Sequence, residues 1–187
     1  AVFEALLSIP PSQRTRPVHI VSNDTLVESP LVMAHLDEVS SLIERAVDSL
    51  GLPLTVARTH PDPDKTFWVL LRGKGYPSPN QQMRWCTDRL KIQPTSTYIK
   101  DNVSKHGAAI VVLGVRRTES IRRMRTVDKY ENDRGTNLNP HSSITGAYIF
   151  RPIVDLTTDD AWEILGPFQA PWGGTHSKLF QLSRDAE

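Results

Sequence analysis

Three stretches of this chain carry residue types that do chemistry. The first is Ser22-Asn23-Asp24-Thr25, directly after the β-branched run Val18-His19-Ile20-Val21. If that run is a parallel strand, its carboxyl end is where ligands collect, and Asp24 and Thr25 can meet a ribose, an adenine edge or a metal. The same two residues also start turns. The second stretch is Gly114-Val115-Arg116-Arg117-Thr118-Glu119-Ser120. Gly114 lets a backbone pass close to a ligand. Arg116 and Arg117 offer planar donor forks suited to phosphate or sulfate oxygens. Arg122, Arg123 and Arg125 extend the run to five Arg within ten residues, against one Glu. For these later three, a phosphate-binding surface and a solvated basic helix face fit equally well. The third stretch, Arg84-Trp85-Cys86-Thr87-Asp88-Arg89-Leu90-Lys91, surrounds the single Cys. Cations beside a thiol favour thiolate, the nucleophilic and metal-binding form. The same cations can bind phosphate with Cys86 a bystander.

Other catalytic patterns are missing. His19, His35, His60, His106, His141 and His176 pair neither with one another nor with an acid at metal-site spacing. There is no G-x-S-x-G elbow, and neither G-x-x-x-x-G-K-[ST] nor G-x-G-x-x-G occurs. One Cys excludes an internal disulfide, a Cys-only zinc site and a self-contained four-Cys iron–sulfur cluster.

Alternating elements must position these stretches. Val18–Val21 reads as a buried strand. A helix is predicted over Pro30–Leu50, where Val32, Leu36, Val39, Leu42, Ile43, Ala46, Val47 and Leu50 recur at three- and four-residue steps and Gly51 stops it. Leu54–Ala57 is a second strand, and Phe67–Leu71 is apolar without a clear period. Gly73–Pro79 is a Gly/Pro loop. Trp85–Lys100 is partly helical, with a break expected near Pro94. Ala108–Val115 is apolar throughout and predicts a central parallel strand covered on both faces. Thr126–Ser143 is polar and loop-like, and Ala147–Val154 is a further strand. Thr157 through Trp162 carries an N-cap signature ahead of an amphipathic helix. Ala1–Ile9 has a helical pattern with no cap before it, as though a strand and loop belonged ahead of it. Strands alternating with helices predict an α/β fold with a mostly parallel sheet, in one domain over residues 1–187.

Composition narrows the partners. The chain has 187 residues, with 22 Lys+Arg against 21 Asp+Glu, a formal charge of +1. A uniform polybasic coat is excluded, so any nucleic-acid site must come from local clustering. No apolar run reaches the ~20 residues of a membrane span, and no signal segment opens the chain. With its single Cys, the chain is expected to be cytoplasmic, with no membrane partner.

Taken together, the strand ending in Ser22–Thr25, Arg84-Trp85-Cys86-Thr87 with Leu90-Lys91 and Pro94, Gly114–Ser120, and Arg151-Pro152-Ile153-Val154-Asp155-Leu156-Thr157-Thr158-Asp159-Asp160-Ala161-Trp162 resemble the phosphoadenylylsulfate reductase branch of the PP-loop ATP pyrophosphatases. Within it, Thr66-Phe67-Trp68-Val69, Gly73-Lys74-Gly75-Tyr76-Pro77, Trp85-Cys86-Thr87 and Pro171-Trp172-Gly173-Gly174 resemble the sulfurtransferases of bacterial DNA phosphorothioation, the DndC/SspD family. The resemblance implies a Rossmann-like sheet, of the adenine nucleotide alpha hydrolase type, with helices on both faces. It also implies a Ser-Gly-Gly-x-Asp-Ser phosphate loop, expected just before Ala1, and a [4Fe–4S] cluster whose further cysteines are expected beyond Glu187.

Carried onto this sequence, the resemblance sets Asp24 and Thr25 near adenosine. Arg116 and Arg117, beside Gly114, face phosphate-like oxygens. Arg84, Arg89 and Lys91 line an anionic site, and Cys86 is a cluster ligand or a sulfur-handling thiol. The implied enzyme cleaves ATP, with Mg²⁺, to AMP and pyrophosphate and replaces a DNA phosphate oxygen with sulfur. Its implied partners are DNA, a cysteine desulfurase as sulfur donor and the other phosphorothioation proteins. Two alternatives stand beside it: a phosphoadenylyl- or adenylyl-sulfate reductase, and a non-catalytic nucleotide- or DNA-binding scaffold.

Overall fold

In the computed structural model, which describes residues 2–120, 124, 125, 127, 128 and 138–184, two compact units share the chain: residues 1–95 with 168–187, and residues 96–167. The architecture is mixed α/β, with about half of the chain helical. No helix among the described residues is long and apolar enough to cross a membrane.

The first unit opens with α1 (Val2–Ser8), followed by β1 (Val18–Asn23), α2 (Pro30–Leu50) and β2 (Leu54–Thr59). Strands β1 and β2 pair in parallel, from Val18 against Leu54 to Asn23 against Thr59. Parallel neighbours need a crossover, and α2 supplies it. The middle of the predicted apolar stripe packs, whereas Val32 and Leu50 near its ends are each 44% exposed. Val39, Ile43, Ala46 and Val47 of α2 pack in one cluster with Leu52, with Val18, Ile20, Leu54 and Val56 of the strands, and with Phe3 and Leu6 of α1. Gly51 ends α2 in the left-handed region at φ 58°, its amide donating to the Val47 carbonyl. That conformation favours glycine because other residues crowd their own Cβ there.

The segment of undetermined type is helical from Phe67, becoming a π turn over Val69–Gly73. A short helical turn follows at Trp85–Thr87, then a second π turn over Asp88–Ile92, which runs directly into α3 (Gln93–His106). The break expected near Pro94 is therefore not found. Pro94 lies inside a continuous helical run, and the widened π turn just ahead of it absorbs the irregularity. The division between the two units falls within α3, after Thr95.

The second unit holds β3 (Ala109–Val112), β4 (Leu138–Pro140), β5 (Ala147–Phe150) and α4 (Thr158–Leu165). Its sheet has the order β3-β5-β4, with β3 parallel and β4 antiparallel to β5. The strand predicted as central and covered on both faces is instead four residues long and, among the described residues, pairs with β5 alone. Ile110 is 61% exposed and Val112 44% exposed. An unbroken apolar run records residue type and not the number of neighbours a strand will have. The predicted strand Ala147–Val154 stops at Phe150, although Val154 beyond it is buried. Of the long polar segment, Leu138–Pro140 forms β4; Thr126 and residues 129–137 lie outside the described residues. The first unit closes with α5 (Ser177–Arg184), whose Lys178 reaches Glu38 of α2 at 2.6 Å.

The N-cap expected at Thr157 is a full capping box. Thr157 Oγ1 accepts from the Asp160 amide at 3.1 Å, and the Asp160 carboxylate accepts from the Thr157 amide at 2.7 Å. These bonds hold the Asp160 carboxyl below its ordinary range. A depressed carboxyl stabilises the fold above its unfolded pKa, and that contribution is lost as pH falls through the folded value. Thr157→Ala is expected to lower stability by about 1 kcal/mol, and Thr157→Ser to restore most of it, read as urea midpoints. The stabilisation added by the Asp160 carboxylate should be lost in acid, below the usual Asp range, so that the Asp160→Asn loss shrinks there.

Candidate functional site

The site residues expected from sequence divide between the two units. In the first, β1 and β2 run in parallel, so their carboxyl ends share one edge. Asn23 ends β1. Its Oδ1 accepts from Thr59 Oγ1 at 2.7 Å and from Thr95 Oγ1 at 2.6 Å. Asp24 follows, its amide donating to the Thr59 carbonyl at 2.9 Å. One carboxylate oxygen of Asp24 accepts from the Leu26 amide at 2.8 Å, and the other faces His60 Nδ1 at 3.7 Å. Asp24 thus starts an Asx turn that carries Leu26 to φ 63°. The His60 side chain remains 49% exposed beside it.

Thr25 is buried, and its hydroxyl donates to Glu28 Oε1 at 2.9 Å. The same oxygen lies 3.3 Å from Lys91 Nζ. Glu28 therefore joins Thr25 to Lys91 and offsets the lysine's charge. This strand-end set holds hydroxyls, an amide, one imidazole and one partly engaged carboxylate. Such groups suit the sugar and base edge of a nucleotide better than a bare cation.

Cys86 sits half-buried in the turn Trp85–Thr87. Trp85 anchors that turn by donating its indole N–H to the Pro77 carbonyl at 2.8 Å and stacking on Phe67 at 5.4 Å. Arg89 Nε lies 3.7 Å from Asp88. The Arg84 side chain is exposed and makes no hydrogen bond or ion pair among the described residues. Among the described residues no group of three or more His, Cys, Asp or Glu is placed to hold a metal ion. With a single Cys as thiolate donor, the residues present do not fit a [4Fe–4S] cluster, and no step is assigned to one.

In the second unit, Gly114 and Arg116 follow β3, and Arg117 opens a 3-10 turn over Arg117–Glu119. A Cβ at Gly114 would meet Ile153 Cδ1 at an ordinary 3.7 Å, so packing does not require glycine there. The Arg117 amide donates to the Val154 carbonyl at 2.8 Å, tying the turn to the segment after β5. Its guanidinium contacts the carboxylates of Asp128 and, at 3.5 Å, Asp155. Arg116 Nε lies 3.5 Å from Glu119. Both guanidinium groups thus face acids, and a phosphate would have to exchange with those carboxylates. Arg125 is exposed, while Arg122 and Arg123 lie outside the described residues.

Sequence reasoning misses Glu28, Thr59, His60 and Thr95. Ending the second strand at Ala57 hides Thr59 and His60; the strand's true end at Thr59 is the signal that finds both.

Comparison with protein-family models gives no match for this chain, and comparison with curated proteins gives none either.

Proposed function

We propose that this chain is the nucleotide- and sulfur-handling part of an ATP-pyrophosphatase-type sulfurtransferase that installs phosphorothioate in DNA, on a Rossmann-like frame. The observation that carries this reading is the convergence of Asn23, Asp24, Thr59 and His60 at the shared carboxyl end of β1 and β2. Parallel sheets bind their ligands at that end. The order of the strand-end, Trp-Cys-Thr and Gly-x-Arg-Arg motifs supplies the choice of reaction.

In this reading Asp24 and His60 bind the sugar or base of ATP. A DNA phosphate oxygen attacks the α-phosphorus, pyrophosphate leaves, and the adenylylated oxygen later departs as AMP when sulfur attacks the DNA phosphorus. Arg116 and Arg117 take up the charge that develops on phosphate oxygens, exchanging their carboxylate partners as they do so. Mg²⁺ arrives on the nucleotide phosphates. Cys86 carries the sulfur delivered by a desulfurase as a persulfide, whose outer sulfur attacks the DNA phosphorus as AMP leaves. Two equivalents of an external thiol then cleave the S–S bond, releasing the phosphorothioate and the Cys86 thiol and leaving as a disulfide.

The test uses the full-length protein with ATP, DNA and a sulfur donor, reading pyrophosphate release and sulfur incorporated into DNA. Cys86→Ser is expected to abolish sulfur incorporation and to leave DNA-stimulated pyrophosphate release. Arg116→Ala is expected to lower both on the order of a hundredfold. Unchanged sulfur incorporation in both variants sinks these assignments. A scaffold reading is favoured by one observation, the acids already facing Arg116 and Arg117; it predicts nucleotide binding without pyrophosphate release.

A further inference from the structure

We propose that Trp68, with Arg72 and Arg84, is a stacking platform for an unpaired base of single-stranded DNA. The proposal deepens the DNA reading above by naming the form of the nucleic acid engaged, and rests on that reading only for the choice of DNA.

Trp68 is 55% exposed, although it belongs to a well-built aromatic assembly. Phe67 meets it edge-on at 5.2 Å and stacks on Trp85 at 5.4 Å with planes 26° apart. Tyr76 meets Trp85 edge-on at 5.3 Å, and the Trp85 indole is pinned to Pro77. Leu70, two residues on, is among the most deeply buried side chains of the described residues. Trp68 is therefore held from behind by a fixed base, and ordering it for a ligand carries little entropic penalty.

Arg72 lies one helical turn beyond Trp68, its guanidinium carbon 5.5 Å from the indole centroid. That is a cation–π pair at the i,i+4 spacing. The neighbouring cations sort into two groups. Lys65, Lys74, Arg89 and Lys91 each face an acid: Asp62, Asp64, Asp88 and Glu28 respectively. Arg72 and Arg84 face none among the described residues, and both side chains are exposed. An indole 55% exposed, with the unpaired Arg72 guanidinium at its ring and exposed Arg84 next in sequence to Trp85 of the same aromatic assembly, matches a nucleotide: a base on the indole and phosphates on the arginines. Duplex DNA hides its base faces in the stack and does not fit.

The test measures binding of a short labelled thymidine oligonucleotide to the full-length protein by anisotropy, against the same sequence as duplex. Tighter binding of the single strand with quenching of tryptophan emission is expected. Trp68→Ala should weaken it roughly five- to hundredfold, Trp68→Phe should retain most of it, and Arg84→Gln should reduce its salt dependence. Phe168→Ala removes another exposed aromatic, 66% accessible, and should change nothing. Equal affinity for duplex, no binding of the strand, or wild-type affinity in Trp68→Ala overturns the platform. Trp68-dependent binding without pyrophosphate release would sink the sulfurtransferase reading and keep the platform. Sulfur incorporation undiminished in Trp68→Ala would do the reverse.

Discussion

Gly146→Ala is expected to destabilise the second unit by roughly 2–4 kcal/mol, the sum of a left-handed backbone penalty and an overpacking penalty. Gly146 stands just before β5 with φ 81°, and a Cβ there would come within 2.9 Å of Val103 Cγ1 and 3.2 Å of the Gly107 carbonyl oxygen. Neither neighbour yields freely, since Val103 is in α3 and the other atom is backbone. The Gly146 carbonyl also accepts the Ala109 amide at 3.0 Å, so a shift there disturbs the entry to the β3–β5 register. Gly107 provides the comparison. It has the same φ of 81°, but a Cβ there would meet nothing within 4 Å, so Gly107→Ala should cost only the backbone share, about 1–2 kcal/mol. Urea unfolding of the two variants separates the contributions. Equal losses would show that the contact with Val103 relaxes without penalty. Adding Val103→Ala to Gly146→Ala should recover part of the loss, and the coupling measures the clash directly.

What is legible in the sequence is local. The helix Pro30–Leu50 is readable end to end because its apolar period, its opening proline and its closing glycine all point the same way. The capping box from Thr157 to Asp160 is four residues wide and just as visible. The strand Ala108–Val115 misleads because apolarity reports a preference for burial and says nothing about which side of a sheet remains open. The same division runs through the candidate site. Asn23, Asp24 and Thr25 stand out because they end a strand. The hydroxyls that bond Asn23 come from 36 and 72 residues away, and no local pattern announces them. Arg116 and Arg117 are visible as cations. Asp155, 38 residues beyond Arg117, is not visible as an acid that faces it. Charge counted along the chain therefore overstates how free those guanidinium groups are.

Leu90→Ala is expected to cost roughly 2–5 kcal/mol, through lost burial and the cavity left behind. Leu90 is 2% exposed and, with Leu70, is among the largest fully buried side chains of the described residues. It lies in the π turn Asp88–Ile92, one residue from Lys91. That turn does more than fill space. Thr95 Oγ1 lies 2.8 Å from the Lys91 carbonyl and 2.6 Å from Asn23 Oδ1, its one proton shared between the two acceptors, while Lys91 Nζ lies beside Glu28. Collapse around Leu90 would thus move both polar links to the carboxyl end of β1, and the nucleotide affinity proposed for that edge should fall together with stability. Leu90→Met keeps the volume and should cost less than about 1.5 kcal/mol. Ile92→Ala, on the same turn but 53% exposed, should change stability within about 0.5 kcal/mol. Urea midpoints and nucleotide titrations on the three variants decide the matter. If Leu90→Ala costs no more than Ile92→Ala, the turn is not held by its buried leucine. If Leu90→Ala unfolds more easily yet binds nucleotide as the parent does, the strand-end cluster does not depend on the turn that carries Lys91.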